Sequence, residues 1–380
     1  MSNYTSNTTL DQAAQLLSGA RRIVVTTHAK PDGDACGAAA ALTGVLRASG
    51  KTVLGVLMPP VPANLQFLLD AEPALHVCPA HGDDPVVAAA VAQADLVVVL
   101  DTGAWSQLSP LRELLSLALA RTLILDHHLS GDVAARYCYV DAAAAAACEI
   151  VAQVIDRFAG DAALSPSVCA ALFVGLAADT GWFRFSNTRA PTHELAARLL
   201  RKGVDQAEIY RKLEQNERPA KLALLARAVQ SLTLLADNRA AIMVLHAADF
   251  AQTGALIEET EQLVDLPRAV GSVQVVALIT EPPQRSETAV DAPTGKPRPG
   301  KRSGSSGGGG SGGSGKDADA GAIRISFRSK SGAHAIDVSL LAQRFGGGGH
   351  ARAAGAKVAA PLEEVVERVT TALAELFPGR

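Results

Sequence analysis

The amino-acid sequence predicts an α/β fold in which a doubly wound parallel-sheet domain is followed by a smaller α/β domain, with a cleft between them. Short apolar runs, among them 23–27, 96–100 and 122–125, alternate with helical segments through roughly residues 10–190, which is the pattern of a parallel sheet. Aspartate or histidine residues stand directly after several of these runs. Because the carboxyl ends of parallel strands meet at one edge of an open sheet, this placement predicts a functional site there.

The elements of the first domain follow one another largely in the order strand, turn, helix. They are predicted as a helix at 11–20, a strand at 23–27, a helix at 35–49, strands at 53–57 and 96–100, a helix at 111–120, a strand at 122–125 and a helix at 142–158. Asp141 is predicted to be the N-cap of the last of these. Ser165 and Pro166 are predicted to open a further helix that ends at Asp179, because serine favours the N-cap and proline the first helical position.

The second half of the chain is predicted to contain a helical connector and the smaller domain. The predicted domain bounds are 1–190 for the sheet domain, 191–235 for the charged connector and 236–380 for the second domain. Within the second domain, strands are predicted at 241–245, 273–280 and 323–327, and a helix at 338–345 with Asp337 as its N-cap.

A Gly/Ser-rich insert at about 282–321 interrupts the second domain between two predicted strands. Its central run, 303–315, consists of glycine and serine alone. Such a composition cannot bury enough apolar surface to fold, so we predict a disordered spacer without a catalytic role.

The composition excludes several classes of protein. The 380 residues are 48% hydrophobic, which is enough for a large core. No apolar run approaches the ~20 residues of a membrane span, and the polar first residues do not resemble a signal peptide, so we expect a cytoplasmic protein without a membrane partner. The five cysteines form no C-x-x-C pair and are expected to be reduced core residues. A formal net charge of −3 argues against binding long duplex nucleic acid through many phosphates.

Three acidic and histidine clusters and one further aspartate form a candidate metal-binding set. In chain order they are His28, Asp32 and Asp34; Asp101; Asp126, His127 and His128; and Asp179. Carboxylates and imidazoles without a thiolate favour a moderately hard divalent ion such as Mn²⁺ over a structural zinc. Taken singly, His28 could be a histidine at the end of a strand whose hydrogen bonds are satisfied within the fold, and Asp32 could be an ordinary N-cap. Taken together, the residues favour two ions ~3.5–4 Å apart, bridged by Asp101, as in a two-metal phosphoesterase.

These residues resemble the four motifs of the DHH phosphoesterases, a family named for the triplet at 126–128. The resemblance implies two Mn²⁺ sites, with Mg²⁺ or Co²⁺ as substitutes. One set of implied ligands is His28, Asp32 and Asp101, and the other is Asp34, Asp101, His127 and Asp179. The resemblance also implies that His128 contacts the scissile phosphate and that Asp126 supports the histidines without binding an ion. His128, Asp126 and Asp101 are thus the implied catalytic residues.

The stretches 328–330 and 346–355 resemble the DHHA1 substrate domain. The implied substrate-binding residues are Arg328, Ser329, Lys330, Gly347, Gly348, Gly349 and His350. From the residues alone, the glycines would let backbone amides approach a phosphate or ribose, or would simply end a helix. Arg328 and Lys330, two residues apart on a strand, would share one face, which is either a solvated basic face or a substrate contact.

The aromatic residues after Asp179 are open to two interpretations. Trp182, Phe183 and Phe185 lie in a segment, 180–188, that is similar to the continuation of the family's fourth motif. They either stack a nucleobase or pack in the core of a chain that has only 4% aromatic residues.

Within the family, the two-domain layout is most similar to the nanoRNase and pAp phosphatase branch. This implies a hydrolase that converts short single-stranded RNA to mononucleotides, with 3'-phosphoadenosine 5'-phosphate (pAp) as a second substrate and a homodimer as an expected assembly. Rival hypotheses are a cyclic or linear dinucleotide phosphodiesterase, a RecJ-like single-strand exonuclease, a family II inorganic pyrophosphatase and a nucleotide-binding module without activity. The run 346–350 argues against the pyrophosphatase, and intact ligands in all four motifs argue against the inactive module.

Overall fold

The structure, a computed structural model, describes residues 4–80, 83–283, 321–330, 332 and 335–377. The chain divides into two compact units, Met1–Asn216 and Glu217–Arg380. This division falls within the segment 191–235 that the sequence analysis assigns to a connector. The predicted insert at about 282–321 lies, except for residues at its two ends, outside the described residues.

The first unit is built on a parallel sheet. Its strands are β1 (Arg22–Ala29), β2 (Thr52–Met58), β3 (Leu75–Val77), β4 (Leu96–Leu100), β5 (Thr122–Asp126) and β6 (Tyr137–Val140). They lie in the order β3-β2-β1-β4-β5-β6, and every neighbouring pair is parallel. The strand order runs in opposite directions from β1 and from β4, which makes the carboxyl ends of these two strands the switch point where ligands bind in such sheets. The predicted doubly wound parallel sheet is confirmed.

Helices cover both faces of this sheet. They are α1 (Leu10–Gly19), α2 (Gly33–Ala48), α3 (Gln66–Ala71), α4 (Pro85–Gln93), α5 (Arg112–Ser116), α6 (Ala147–Ala159), α7 (Pro166–Asp179), α8 (Ala190–Arg201) and α9 (Gln206–Glu214). Along β1, Ile23 and Val25 pack into the core that contains α2, α6 and α7, whereas Val24 packs into the core on the other face. Because both faces are buried, the central strands are continuous apolar runs rather than alternating ones.

The start of α6 differs from the prediction. The helix begins at Ala147 rather than at residue 142, so its N-cap is Ala146 and not Asp141. Asp141 Oδ1 instead accepts a hydrogen bond from the backbone N–H of Ala143 in the turn before the helix. The first N–H groups of α6 are bonded instead by Asp34, which lies far away in the sequence. A short-range capping pattern could not have revealed that partner.

The predicted helix at 111–120 is also broken. The segment contains a 3-10 turn at Ser109–Leu111, the short helix α5 and a second 3-10 turn at Leu119–Arg121. The carbonyl oxygen of Ala118 accepts hydrogen bonds from Arg121 N and Thr122 Oγ1, so the helical pattern ends where the chain turns into β5.

The second unit is a smaller α/β domain, as predicted. Its strands are β7 (Thr233–Leu235), β8 (Ala240–Leu245), β9 (Val275–Thr280), β10 (Ile323–Ser329), β11 (Gly348–His350) and β12 (Ala353–Val358). The order is β11-β12-β10-β9-β8-β7, with β8 and β9 parallel and the other neighbouring pairs antiparallel. Its helices are α10 (Pro219–Gln230), α11 (Ala247–Thr253), α12 (Val338–Gln343) and α13 (Leu362–Ala374). In the described part of the chain, none of the helices has the length and apolar content to cross a membrane.

Candidate metal centre

The candidate site is built at the carboxyl ends of β1, β4 and β5 and at the end of α7. Asp101 directly follows β4 and has a φ of 61°, in the left-handed region that aspartate tolerates better than most residues. Its backbone N–H donates to the carbonyl oxygen of Leu125, which holds the turn against β5. Asp101 is almost fully buried. The bend therefore fixes a carboxylate at the switch point of the sheet.

The two oxygen atoms of Asp101 face different histidines. His28 Nε2 lies 3.4 Å from Asp101 Oδ2 and 3.9 Å from Asp32 Oδ1. His127 Nε2 lies 3.2 Å from Asp101 Oδ1 and 3.3 Å from Asp179 Oδ2. The predicted ligands thus form two groups that share Asp101.

The other ring nitrogen of each histidine points at a backbone carbonyl oxygen. His28 Nδ1 lies 3.0 Å from the oxygen of Ala29, and His127 Nδ1 lies 3.3 Å from the oxygen of Ala144. A proton on Nδ1 satisfies these carbonyl groups and leaves Nε2, on the side of the carboxylates, to bind either a proton or a cation. This is the arrangement in which proteins hold a metal-binding imidazole.

Asp34 and Asp32 are held by helix N-termini. The completely buried Asp34 carboxylate accepts hydrogen bonds from Ala147 N (2.5 Å) and Cys148 N (2.9 Å), the first residues of α6, where the helix dipole favours a negative charge. Asp32 Oδ1 accepts from the backbone N–H groups of Asp34 and Ala35 and is the N-cap of α2. The N-cap interpretation of Asp32 is therefore correct, and it does not exclude a second role at the site.

The position of Asp34 requires a glycine in α7. A Cβ atom at Gly175 would lie 2.5 Å from Asp34 Oδ1 and 2.2 Å from Cys148 Sγ. Both distances are far inside van der Waals contact, so a side chain at residue 175 would displace Asp34 from the α6 terminus.

Replacing Gly175 with alanine is expected to lower the free energy of unfolding by about 1–3 kcal/mol through overpacking and to weaken divalent-ion binding. Urea unfolding and calorimetric titration with Mn²⁺ measure the two effects. Gly19→Ala is the matched control, because Gly19 is also helical but has open space at its Cβ position. A Gly175→Ala protein with the ion affinity of the wild type would contradict the importance of the Asp34 position.

The site brings carboxylates and imidazoles so close together that each shifts the pKa values of the others. Burial raises the pKa of Asp34 to about 7 and that of Asp179 to about 8, and the neighbouring Asp101 carboxylate adds to both shifts. Burial would lower the pKa of His28 and His127, but contact with Asp101 outweighs it and raises these pKa values to about 9 and about 10. The same histidines outweigh the effect of burial on Asp101 and hold its pKa below its usual range.

Two buried atoms at the centre of this cluster have no hydrogen-bond partner among the described residues. They are Asp101 Oδ1 and His127 Nε2, which lie 3.2 Å from each other but without the geometry of a hydrogen bond. Buried polar atoms are nearly always satisfied, so such a pair calls for an explanation. Three-residue groups with ligand atoms within 4.8 Å of one another occur at His28, Asp32 and Asp101; at Asp34, His127 and Asp179; and at Asp101, His127 and His128. The grouping of these donors, their types and the unsatisfied atoms all fit divalent cations.

Asp126 orients the histidines that follow it. Its Oδ1 accepts hydrogen bonds from the backbone N–H groups of His127 (2.8 Å) and His128 (3.2 Å) and lies 2.8 Å from His128 Nδ1. The hydrogen bond with Asp126 raises the pKa of His128. His128 Nε2 lies on the opposite side of the ring, and the side chain is 45% exposed. Tyr4, which the sequence analysis did not identify, donates its hydroxyl to Asp126 Oδ2 at 2.6 Å.

In the second unit, the structure places Arg328 and His350 in line across three strands. Arg328 of β10 pairs with Ala353 of β12, and Ala353 pairs with His350 of β11. Residues directly opposite in a sheet project from the same face, and two strand spacings separate them by about 10 Å. Gly348 and Gly349 lie beside His350 on this exposed edge strand. These residues share one face of the sheet, where the Arg328 guanidinium also donates to the carbonyl oxygen of Phe327 and lies 3.9 Å from Asp265 Oδ1.

Three other predicted substrate-binding residues are engaged elsewhere in the fold. Ser329 is buried, and its Oγ donates to the carbonyl oxygen of Ile336 at 2.7 Å. Lys330 follows the end of β10, and its Nζ donates to the carbonyl oxygens of Val270 (2.5 Å) and Gly271 (3.2 Å). A Cβ at Gly347 would lie 2.1 Å from the carbonyl oxygen of Gly355, so that glycine permits close packing of the loop on β12. These contacts fit structural roles.

The three aromatic residues after Asp179 have different environments in the structure. Trp182 and Phe183 pack on the buried Phe173, with ring centroids 6.4 and 6.0 Å away. Phe185 is 55% exposed. Core packing thus accounts for the first two, and Phe185 alone of the three is available to a substrate.

Comparisons with known proteins identify both parts of the chain. Residues 22–176 match the DHH family, N-terminal domain, and residues 306–377 match the DHHA1 domain. The chain is 28% identical over 355 residues to the bifunctional oligoribonuclease and PAP phosphatase NrnA of Thermus thermophilus, covering 93% of this chain and 89% of that protein. It is 22% identical over 339 residues to the protein of the same name in Bacillus subtilis, covering 88% and 89%.

Solved structures support the same fold. An exopolyphosphatase-related protein from Bacteroides fragilis superposes with a TM-score of 0.79 at 21% identity, covering 97% of this chain and 96% of that chain. RecJ from Thermus thermophilus superposes with a TM-score of 0.51 at 16% identity, covering 97% of this chain and 55% of that chain. The prediction of a hydrolytic enzyme is confirmed by the family and the named relatives. The chain therefore carries a DHH domain that is followed by a DHHA1 domain.

Proposed function

We propose that this protein is a Mn²⁺-dependent phosphoesterase that hydrolyses short single-stranded RNA to mononucleotides and pAp to AMP. The observation that carries the proposal is the convergence of two ligand groups on Asp101, with a partly exposed histidine, His128, beside them. The names of the relatives, oligoribonuclease and PAP phosphatase, support this substrate class.

Two sets of residues would hold the ions. The first is His28, Asp32 and Asp101, and the second is Asp34, Asp101, His127 and Asp179. Bound divalent ions would activate water and hold the phosphoryl oxygens. Burial raises the pKa of the neighbouring Cys148 thiol well above its usual value, so a thiolate ligand that would favour zinc is not available. Oxygen and imidazole donors suit Mn²⁺, with Mg²⁺ or Co²⁺ as substitutes.

His128 and Asp126 would act on the substrate side of the ions. Asp126 holds Nδ1 of His128, so Nε2 can donate a proton or a hydrogen bond to a phosphate oxygen or to the leaving group. Because Asp126 is completely buried and saturated with hydrogen bonds, its role is to fix the imidazole rather than to bind an ion.

The second unit would hold the nucleotide. Arg328 and His350 project from one face of its sheet, and the β11 glycines leave backbone groups accessible beside them. One cation and one imidazole can contact only a few phosphates, which suits short substrates better than long duplexes. We further propose a cytoplasmic location, since the cysteines among the described residues are all buried and unpaired, and a homodimer as the assembly.

The decisive experiment is a Mn²⁺-supplemented panel of RNA from 2 to about 24 nucleotides, pAp, linear and cyclic dinucleotides and pyrophosphate, with the products resolved over time. Turnover restricted to RNA of a few residues and pAp would support the proposal. Turnover of the cyclic dinucleotide alone, or equal turnover of long single strands, would favour the phosphodiesterase or the RecJ-like hypothesis.

In the same panel, His350→Ala is expected to raise the KM for di- to tetranucleotides about tenfold, the effect of one lost hydrogen bond to a charged group. Hydrolysis of an activated aryl phosphodiester, which needs only the metal centre, should be unchanged. His246→Ala is the control, because His246 is an exposed histidine of the same unit. Equal losses on the nucleotide and the aryl substrate would count against substrate recognition by His350.

A further inference from the structure

The segment before α1 lies along β6, the outer strand of the first sheet. The backbone N–H groups of Asn7 and Thr8 donate to the carbonyl oxygen of Cys138, and Cys138 N donates to Asn7 Oδ1 at 2.7 Å. Val140 N donates to Ser6 Oγ at 2.8 Å. These bonds fix the path of the segment on β6.

Tyr4 occupies a slot between two glycines. A Cβ atom at Gly103 would lie 2.0 Å from Tyr4 Oη, and one at Gly131 would lie 2.5 Å from the Tyr4 ring. Gly103 follows Asp101 by two residues, and Gly131 follows His128 by three. The loops that carry two of the site's motifs are therefore shaped to admit this side chain.

The hydroxyl of Tyr4 completes the hydrogen bonding of Asp126. It donates to Asp126 Oδ2 at 2.6 Å, while Oδ1 of the same carboxylate is occupied by the bonds to His127 and His128. Asp126 is completely buried, so its second oxygen depends on this one side-chain donor among the described residues. A chain of contacts thus runs from Tyr4 through Asp126 to the imidazole of His128.

We propose that Tyr4 is a positioning residue of the active site, which fixes Asp126 and through it the orientation of the His128 imidazole. Without the hydroxyl, Oδ2 of Asp126 would lack its donor, and the carboxylate could rotate away from His128 Nδ1. The part of this inference that concerns catalysis rests on the proposed phosphoesterase function, whereas the coupling of Tyr4 to His128 is a property of the fold.

The test is Tyr4→Phe, which keeps the ring in its slot and removes only the hydrogen bond. We expect kcat on a dinucleotide to fall about tenfold, with KM, Mn²⁺ content and melting temperature close to those of the wild type. Tyr137→Phe is the matched control, because Tyr137 lies on β6 and its hydroxyl accepts a bond from Arg136 Nε, outside the site. That variant should behave as the wild type.

A second readout does not depend on turnover. In protein labelled with ¹⁵N only at its nine histidines and loaded with Mg²⁺, Tyr4→Phe should shift the His128 ring resonances, which the spectrum of His128→Asn would assign. Tyr137→Phe should leave them in place.

Different results would contradict the proposed function and the proposed role of Tyr4. If the wild type hydrolyses none of the phosphoesters, the proposed function is wrong, and the His128 resonances alone then decide the role of Tyr4. If Tyr4→Phe matches the wild type in kcat and in the His128 resonances, and only Tyr4→Ala loses activity together with melting temperature, then Tyr4 merely fills the slot and the inference is overturned.

Discussion

Replacing Asp101 with asparagine is expected to lower hydrolysis at least about 10³-fold, the upper range for loss of one electrostatic contact in an active site, and to prevent both ions from binding together. Asparagine keeps the shape of the side chain and tolerates the φ of 61° at this turn, so the change removes charge without straining the backbone. The amide cannot serve the two ligand groups that share this carboxylate. Metal analysis after gel filtration and rates on a dinucleotide measure the two effects.

Stability without metal distinguishes a lost ion site from a damaged fold. After chelation, Asp101→Asn should melt at a somewhat lower temperature than the wild type, because the charge of Asp101, whose pKa is held below its usual range by His28 and His127, stabilises the metal-free fold. With Mn²⁺ present the difference should widen, since only the wild type gains the free energy of binding, which is about 2.7 kcal/mol at an ion concentration of 100 times Kd. Asp83→Asn, at an exposed aspartate of the same unit, should change neither property. Two bound ions per Asp101→Asn chain would refute the shared role.

The sequence predicts which of these residues come together in space because their positions follow from local rules. His28, Asp101 and Asp126 each end or follow an apolar strand, and in a parallel sheet the carboxyl ends of such strands must meet. Asp179 ends a helix whose serine N-cap and following proline are visible in the sequence. The sequence order of strands and helices is therefore enough to predict that these residues lie close together in space.

The features that the sequence did not predict depend on long-range contacts. Asp34 binds the start of α6 across more than a hundred residues, so Asp141 was the wrong N-cap. Tyr4 lies in a polar segment without periodicity, and its bond to Asp126 follows only from pairing with β6. The segment of β12 is rich in alanine and glycine, and Val358 is its one residue that is typical of strands. It is a strand because of its neighbours in the sheet rather than because of its composition.

The predicted position of Lys330 is also wrong because it depends on contacts that the sequence does not reveal. Alternation along an ideal strand places it on the face of Arg328, but β10 ends at Ser329. Beyond that point the alternation no longer applies, and the ammonium group bonds the carbonyl oxygens of Val270 and Gly271 instead. The end of a strand is set by its partners in the sheet, which a single sequence does not display.

Replacing His128 with asparagine is expected to lower kcat about 10²–10⁴-fold, the usual contribution of a proton-transferring side chain, while both ions remain bound. Asparagine can preserve a hydrogen bond to Asp126 but has no group in the position of Nε2. Metal analysis and rates on the dinucleotide measure the outcome, and His193→Asn, at an exposed histidine of the same unit, is the control. If His128→Asn loses a bound ion as well as activity, His128 is instead a metal ligand. Its position close to Asp101 and His127 allows that role.

The choice of leaving group then tests what His128 does. If Nε2 donates a proton to the leaving oxygen, a p-nitrophenyl ester, whose leaving group needs no protonation, should lose much less rate in His128→Asn than a dinucleotide does. If Nε2 only holds a phosphate oxygen, both substrates should lose rate equally. Asp126 occupies Nδ1 at 2.8 Å and raises the pKa of the ring, which favours the form of His128 that carries a proton on each nitrogen. A doubly protonated imidazole is a competent donor, so we expect the unequal loss.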